Sequence, residues 1–178
     1  VSETAVNGAD LDESTVASGF DGYAGNRAIG YEFNAGDLMD VSSTSSAWGA
    51  TIANADVVQV ALDLDNNKLY FGKNGTWQNS GDPTSGATGT GAVSITAYAA
   101  PPALGDIWWF PLWHSFNTTA KGNFNFGNGY FGTTAVTSAE ADDAGIGAFE
   151  YDVPAGTFDS ASKDFRAICT KNIKAYGG

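Results

Sequence analysis

The stretch from Val57 to Trp77 constrains the fold more than any other part of the chain. Val58, Val60, Leu62 and Leu64 alternate with Gln59, Asp63 and Asp65, and a period of two is the signature of a β-strand. Asn66-Asn67 follows, and Asn tolerates positive φ better than most residues, so this pair predicts a two-residue type I′ turn. A second strand, Lys68 to Lys73, leads to Asn74-Gly75, which is the stronger turn signal. The expectation is a β-hairpin with the valine–leucine face buried.

The rest of the composition agrees with strands. The chain has 178 residues with 23 glycines, and Ser, Thr and Asn crowd between short apolar runs. Helical periodicity is scarce, so the expected class is all-β, an antiparallel β-sandwich filling residues 1–178 as a single domain. The net charge is −12. The first sixty residues carry much of it: Glu3, Asp10, Asp12, Glu13, Asp21, Glu32, Asp37, Asp40 and Asp56 are opposed by Arg27 alone. Such a surface repels phosphate backbones and anionic lipid, so neither nucleic acid nor membrane is expected as a partner. Cys169 is the only cysteine, which excludes an internal disulfide, and it reads as a small buried hydrophobe. No run approaches the roughly 18 apolar residues of a membrane-spanning helix, and no signal peptide is visible. The chain begins at Val1 without Met, which suggests a processed product or a piece of a longer polypeptide.

Further strands are expected at Ala28–Phe33, Val93–Tyr98 and Gly122–Gly127, with Phe124 and Phe126 at spacing two and facing the core. Trp48, Phe71 and Phe110 read as core as well. Gln78–Gly91 reads as a long loop able to form neither helix nor packed strand. Residues 133–147 read as a loop or one short helix. Phe149–Pro154 and Asp164–Thr170 look like closing strands or an ordered tail. In the run Asp106–Trp113, Trp108 opposes Trp109 and Trp113, so one side of that strand must place a Trp outward.

The segment Ala61-Leu62-Asp63-Leu64-Asp65 followed by Lys73-Asn74-Gly75 resembles the central hairpin of SPRY-type β-sandwich domains, in the form found in bacteriophage tail and other virion structural proteins. Trp48-Gly49 before Asn54-Ala55-Asp56, the ending Asn123-Phe124-Asn125-Phe126-Gly127, and Cys169-Thr170-Lys171-Asn172-Ile173 are similar to that family too. The resemblance runs from about Tyr23 to Ile173 and departs at the N-terminus and at 133–147. It implies a SPRY-like, concanavalin A-like jelly roll in which 133–178 is a C-terminal extension packing on or completing the sandwich. It implies a non-enzymatic module of a phage virion, in a tail fibre, tail tip or head fibre, at work in assembly or host-surface recognition. Loops 34–47 and 78–92 would supply the contacts. The partners it implies are other virion proteins, copies of itself as a homotrimer, and a host-surface glycan or protein.

Three rival functions share this architecture: a glycoside hydrolase, a lectin and a peptide-binding SPRY adaptor. A hydrolase needs paired carboxylates, and Asp63 and Asp65 are the orderly pair. Residues i and i+2 on a strand lie about 6.5–7 Å apart, which falls in the range of about 6.5–9.5 Å used by inverting glycosidases. The pair ends at a turn, where a carboxylate more often caps backbone N–H groups, so the expectation is a structural role. Calcium is the one cofactor Asp63 and Asp65 would suit, and none is expected. His114 is the only histidine. Zinc needs several His or Cys ligands, and no Gly-x-Ser-x-Gly elbow accompanies that histidine. Gly86–Gly91 lacks the Lys and following helix of a phosphate loop. The candidate ligand-binding residues are Trp77, Gln78, Asn79 and Asp82, since an indole face beside amides stacks well on a sugar ring. Asn74-Gly75-Thr76 and Asn117-Thr118-Thr119 match the glycosylation sequon, which arises often by chance in such a chain.

Overall fold

The asparagine–glycine step dictates the best-formed part of the molecule. In the computed structural model, which describes residues 29–39, 46–96, 109, 111, 121–155 and 165–169, Lys73 pairs with Thr76. Asn74 and Gly75 alone span that turn, with φ of 48° and 83°. Positive φ at both positions is what a type I′ turn requires. Across the described residues strands and turns dominate, and the helix present is 3-10 in type. The class is thus compatible with all-β.

The chain divides into two units, Val1–Ala55 and Asp56–Gly178. In the first, β1 (Gly30–Glu32), β2 (Asp37–Met39) and β3 (Ser46–Ala47) form an antiparallel sheet in chain order. Gly36, at φ 75°, turns the β1–β2 loop, and its carbonyl accepts from Trp48 N at 3.0 Å and Gly49 N at 2.9 Å. Tyr31 is the buried centre, with Phe33 and Trp48 edge-on at 6.1 and 5.8 Å. Its hydroxyl donates to the Ala50 carbonyl. The strand expected over Ala28–Phe33 is therefore real but shorter.

In the second unit β4 (Val58–Asp63), β5 (Lys68–Lys73), β6 (Thr76–Trp77) and β7 (Val93–Ser94) make one antiparallel sheet. β5 is central: β4 lies along one side, and β6 and β7 share the other. Its residues Leu69, Tyr70, Phe71 and Gly72 are all buried, so both faces of the strand are covered. Leu69, Phe71 and Val93 lie on one face with Val58, Val60 and Leu62. Tyr70 and Gly72 lie on the other, beside Ala61, Gln59 and Trp77. The expectation of a single buried face is corrected here. Val60 is 60% exposed and Leu64 is 57% exposed, whereas Ala61 on the opposite face is buried. Leu64 is not in the strand at all, because Asp63 pairs with Lys68 and leaves a four-residue loop, Leu64–Asn67. The Asn66-Asn67 pair is thus not a two-residue turn, and only Asn67 takes positive φ, at 56°.

Beyond the sheet, β8 (Tyr130–Phe131) and β9 (Thr134–Ala135) form a small hairpin. Gly132 has φ 63° at the first turn position, the place a type II′ turn gives to glycine. A bridge joins Glu140 to Phe149. The stretch 133–147 therefore contains no helix. Gly122–Gly127 is not a strand: Phe124 and Phe126 are 47% and 38% exposed and stack on each other at 5.5 Å. Spacing of two does not make a strand without a ladder of main-chain hydrogen bonds. Likewise β7 stops at Ser94, Phe149 alone of 149–154 forms a strand bridge, and residues 165–169 lie outside any strand, with Cys169 half-buried. Expectations for Trp108, Phe110, Trp113, His114, the Asn117 sequon and Thr170–Ile173 lie outside the described residues.

Candidate functional site

Loop 78–92 is built on the Tyr70 face of the four-stranded sheet. It was expected to carry no helix, and it contains two short 3-10 segments, Gln78–Ser80 and Pro83–Thr88. Asp82 explains the second. Its carboxylate accepts from Thr84 N at 2.9 Å and from Thr84 Oγ1 at 2.6 Å, which caps the turn. Pro83, with fixed φ and no N–H to satisfy, takes the first helical position. Ser85 Oγ donates to the Asp82 carbonyl and accepts from Thr90 N, tying the two ends of the loop together.

The sheet grips this loop. Tyr70 is fully buried, and its hydroxyl lies 3.5 Å from Ser85 Oγ. Burial holds the Tyr70 phenol above its ordinary pKa, and the nearby Asp63 and Asp82 carboxylates push the same way against the Ser85 hydrogen bond. A Cβ at Gly91 would come within 2.5 Å of the Asn79 carbonyl and of Gly81 Cα, and a Cβ at Gly89 would strike the Lys68 stem. Glycine at those two positions lets the loop lie this close.

The four candidate ligand residues are adjacent, but they are differently employed. Trp77 is half-buried, edge-on to Tyr70 at 6.4 Å, with its ring over Gly72. Gln78 is buried, and its Nε2 donates to the Thr76 carbonyl at 2.9 Å. Asp82 is committed to its cap. Asn79 is exposed with φ 54°, and its amide reaches only the Gly91 carbonyl, at 3.5 Å. The outward surface is carried by Asn79, Ser80, Asp82, Thr84, Ala87, Thr88 and Thr90. Sequence reasoning missed the three hydroxyls of Thr84, Thr88 and Thr90. The signal was present in the alternation of Gly and Thr, which places Thr outward wherever Gly makes the close contact.

Asp63 and Asp65 do not form a strand-borne pair. Asp63 ends β4, and both its oxygens are engaged: Oδ1 accepts from Asn66 N at 2.9 Å and Oδ2 from Asn66 Nδ2 at 2.8 Å. Asp65 sits in the loop, exposed. Among the described residues no group of three or more His, Cys, Asp or Glu is gathered as metal ligands. Among them too, no helix is long and apolar enough to cross a membrane. Compared with protein-family models, with curated proteins and with solved structures, the chain matches none.

Proposed function

We propose that the chain is a non-enzymatic module of a bacteriophage virion, a SPRY-like β-sandwich contributing to assembly or host-surface recognition through its end loops. The observation that carries this reading is the pre-organised loop 78–92, fixed to the sheet through Tyr70, Ser85 and Lys68 while Thr84, Thr88 and Thr90 face outward. A rigid base with a polar loop that has Asp82 as its only charge suits recognition by hydrogen bonding, because little ordering remains to be done on binding. The resemblance of the 57–77 hairpin to phage domains supplies the virion setting, with other virion proteins, copies of itself as a trimer, or a host glycan as partners. The reading needs no cofactor. The cap made by Asp63 supports a structural role for that carboxylate over a catalytic one.

A glycan array and host-surface extracts, each probed with calcium and with EDTA, test the recognition arm. Saturable binding lost on Thr88→Lys, in a protein with unchanged unfolding, supports recognition through this loop. Binding unaffected by Thr88→Lys moves recognition elsewhere, and no binding at all leaves assembly. Glycan hydrolysis lost in Asp63→Asn/Asp65→Asn would sink the non-enzymatic reading.

A further inference from the structure

Two Asn-Gly steps in the described residues, Asn74-Gly75 and Asn128-Gly129, both have an exposed asparagine and differ in how firmly hydrogen bonds hold them. A third, Asn7-Gly8, lies outside the described residues. We infer that Asn128 is a site at which the folded chain converts to aspartate and isoaspartate, and that hydrogen bonding holds Asn74 inert.

The chemistry is intramolecular. The main-chain nitrogen of the following residue loses its proton and attacks the Asn Cγ, closing a five-membered succinimide. The Cγ–Nδ2 bond breaks, and Nδ2 leaves as ammonia, taking up the proton. Water then adds to one ring carbonyl. Opening at Cγ returns an ordinary aspartate, and opening at the main-chain carbonyl leaves isoaspartate. One water enters, one ammonia departs, and nothing is oxidised. Glycine favours the attack because no Cβ crowds the nitrogen.

The step needs a mobile side chain and an uncommitted nucleophile. Asn74 has neither. Its Nδ2 donates to Asp56 Oδ1 at 2.6 Å, and its Oδ1 accepts from Val57 N at 2.8 Å. The nucleophile, Gly75 N, donates to Gln59 Oε1 at 2.7 Å. All three bonds must break before the ring can close. Asn128 is exposed, and its Oδ1 accepts one long bond, from Tyr130 N at 3.3 Å. Its Nδ2 has no partner among the described residues. Gly129 N lies 3.4 Å from Asn125 Oδ1, an oxygen already engaged by Gly127 N at 2.8 Å. At the longer distance that contact is marginal. Conversion would set a new carboxylate, and in isoaspartate an extra main-chain carbon, just ahead of β8.

The test is to hold the folded protein at mildly alkaline pH, digest it, and separate Asn, Asp and isoAsp peptides by mass spectrometry. Asn128 is expected to convert to both products, with Asn74 slower by at least about tenfold, the factor expected if even one of its bonds must be given up. In denaturant the two sites are expected to convert at similar rates. In Gln59→Ala, Asn74 conversion is expected to rise while Asn128 is unchanged. An intact Asn128 in folded protein, or equal rates at the two sites before denaturation, overturns the inference. A persisting difference in denaturant overturns it as well, because local sequence would then be the cause.

Discussion

Two side chains show how much single positions carry. Asn74 adopts a left-handed conformation at φ 48° and joins Asp56 and Val57 through its amide. Asn74→Ala keeps the strained backbone and loses both bonds, so a loss of about 2 kcal/mol in urea unfolding is expected. Tyr70 makes its contribution through burial, since its hydroxyl contact with Ser85 is long. Desolvation raises its phenol, and that of Tyr31, above the unfolded value of about 10. Their contribution is therefore complete below that value and is lost as pH rises through the raised folded values. Alkaline unfolding followed by tyrosine absorbance is expected to begin above about pH 10. Tyr70→Phe, which removes one of the two ionising groups, is expected to unfold at higher pH than the parent.

At the scale of elements, loop 78–92 behaves as part of the sheet. Asp82→Ala removes the cap on Thr84 and is expected to cost about 1 kcal/mol. Amide exchange should rise first at Thr84 and Ser85. Gly91→Ala is expected to be worse, because its φ of 64° disfavours a side chain and the new Cβ meets Gly81. Left-handed strain alone gives about 1–3 kcal/mol, readable in the urea midpoint. These elements differ in how far they can be read from sequence. The Asn74-Gly75 turn was legible because its two residues carry the conformation themselves. The Leu64–Asn67 loop was not, since its length depends on Asp63 reaching Asn66, a side-chain choice that alternation does not encode. Phe124 and Phe126 misled because spacing records which residues share a side, and a strand also needs a partner. In the candidate site the sequence picked out four adjacent residues, but not which of them face solvent. Trp77 and Gln78 turn inward onto a sheet whose second face looked polar.

Across the molecule, one buried carboxylate does what a disulfide cannot do in a chain with a single cysteine. Asp142 Oδ1 accepts from Ile146 N at 2.9 Å and Ala144 N at 3.1 Å, and Oδ2 accepts from Ala167 N at 3.1 Å. It thereby ties residues 165–169 to the 140–149 loop, where a Cβ on Gly127 or Gly147 would sit 3.2 Å from Ala167 Cβ. Asp142→Ala strands three main-chain donors and is expected to cost roughly 3 kcal/mol, with protease cleavage appearing near Arg166. The hairpin at 58–73 has a mechanical consequence of its own. Asp56, Val57 and Gln59 meet Lys73, Asn74 and Gly75 at the mouth of that hairpin, opposite the Leu64–Asn67 tip. A pull along the chain reaches the mouth first. The hairpin must therefore yield at its most heavily fastened end before any rung behind it opens, and it should resist tension as an abrupt break rather than a gradual peel.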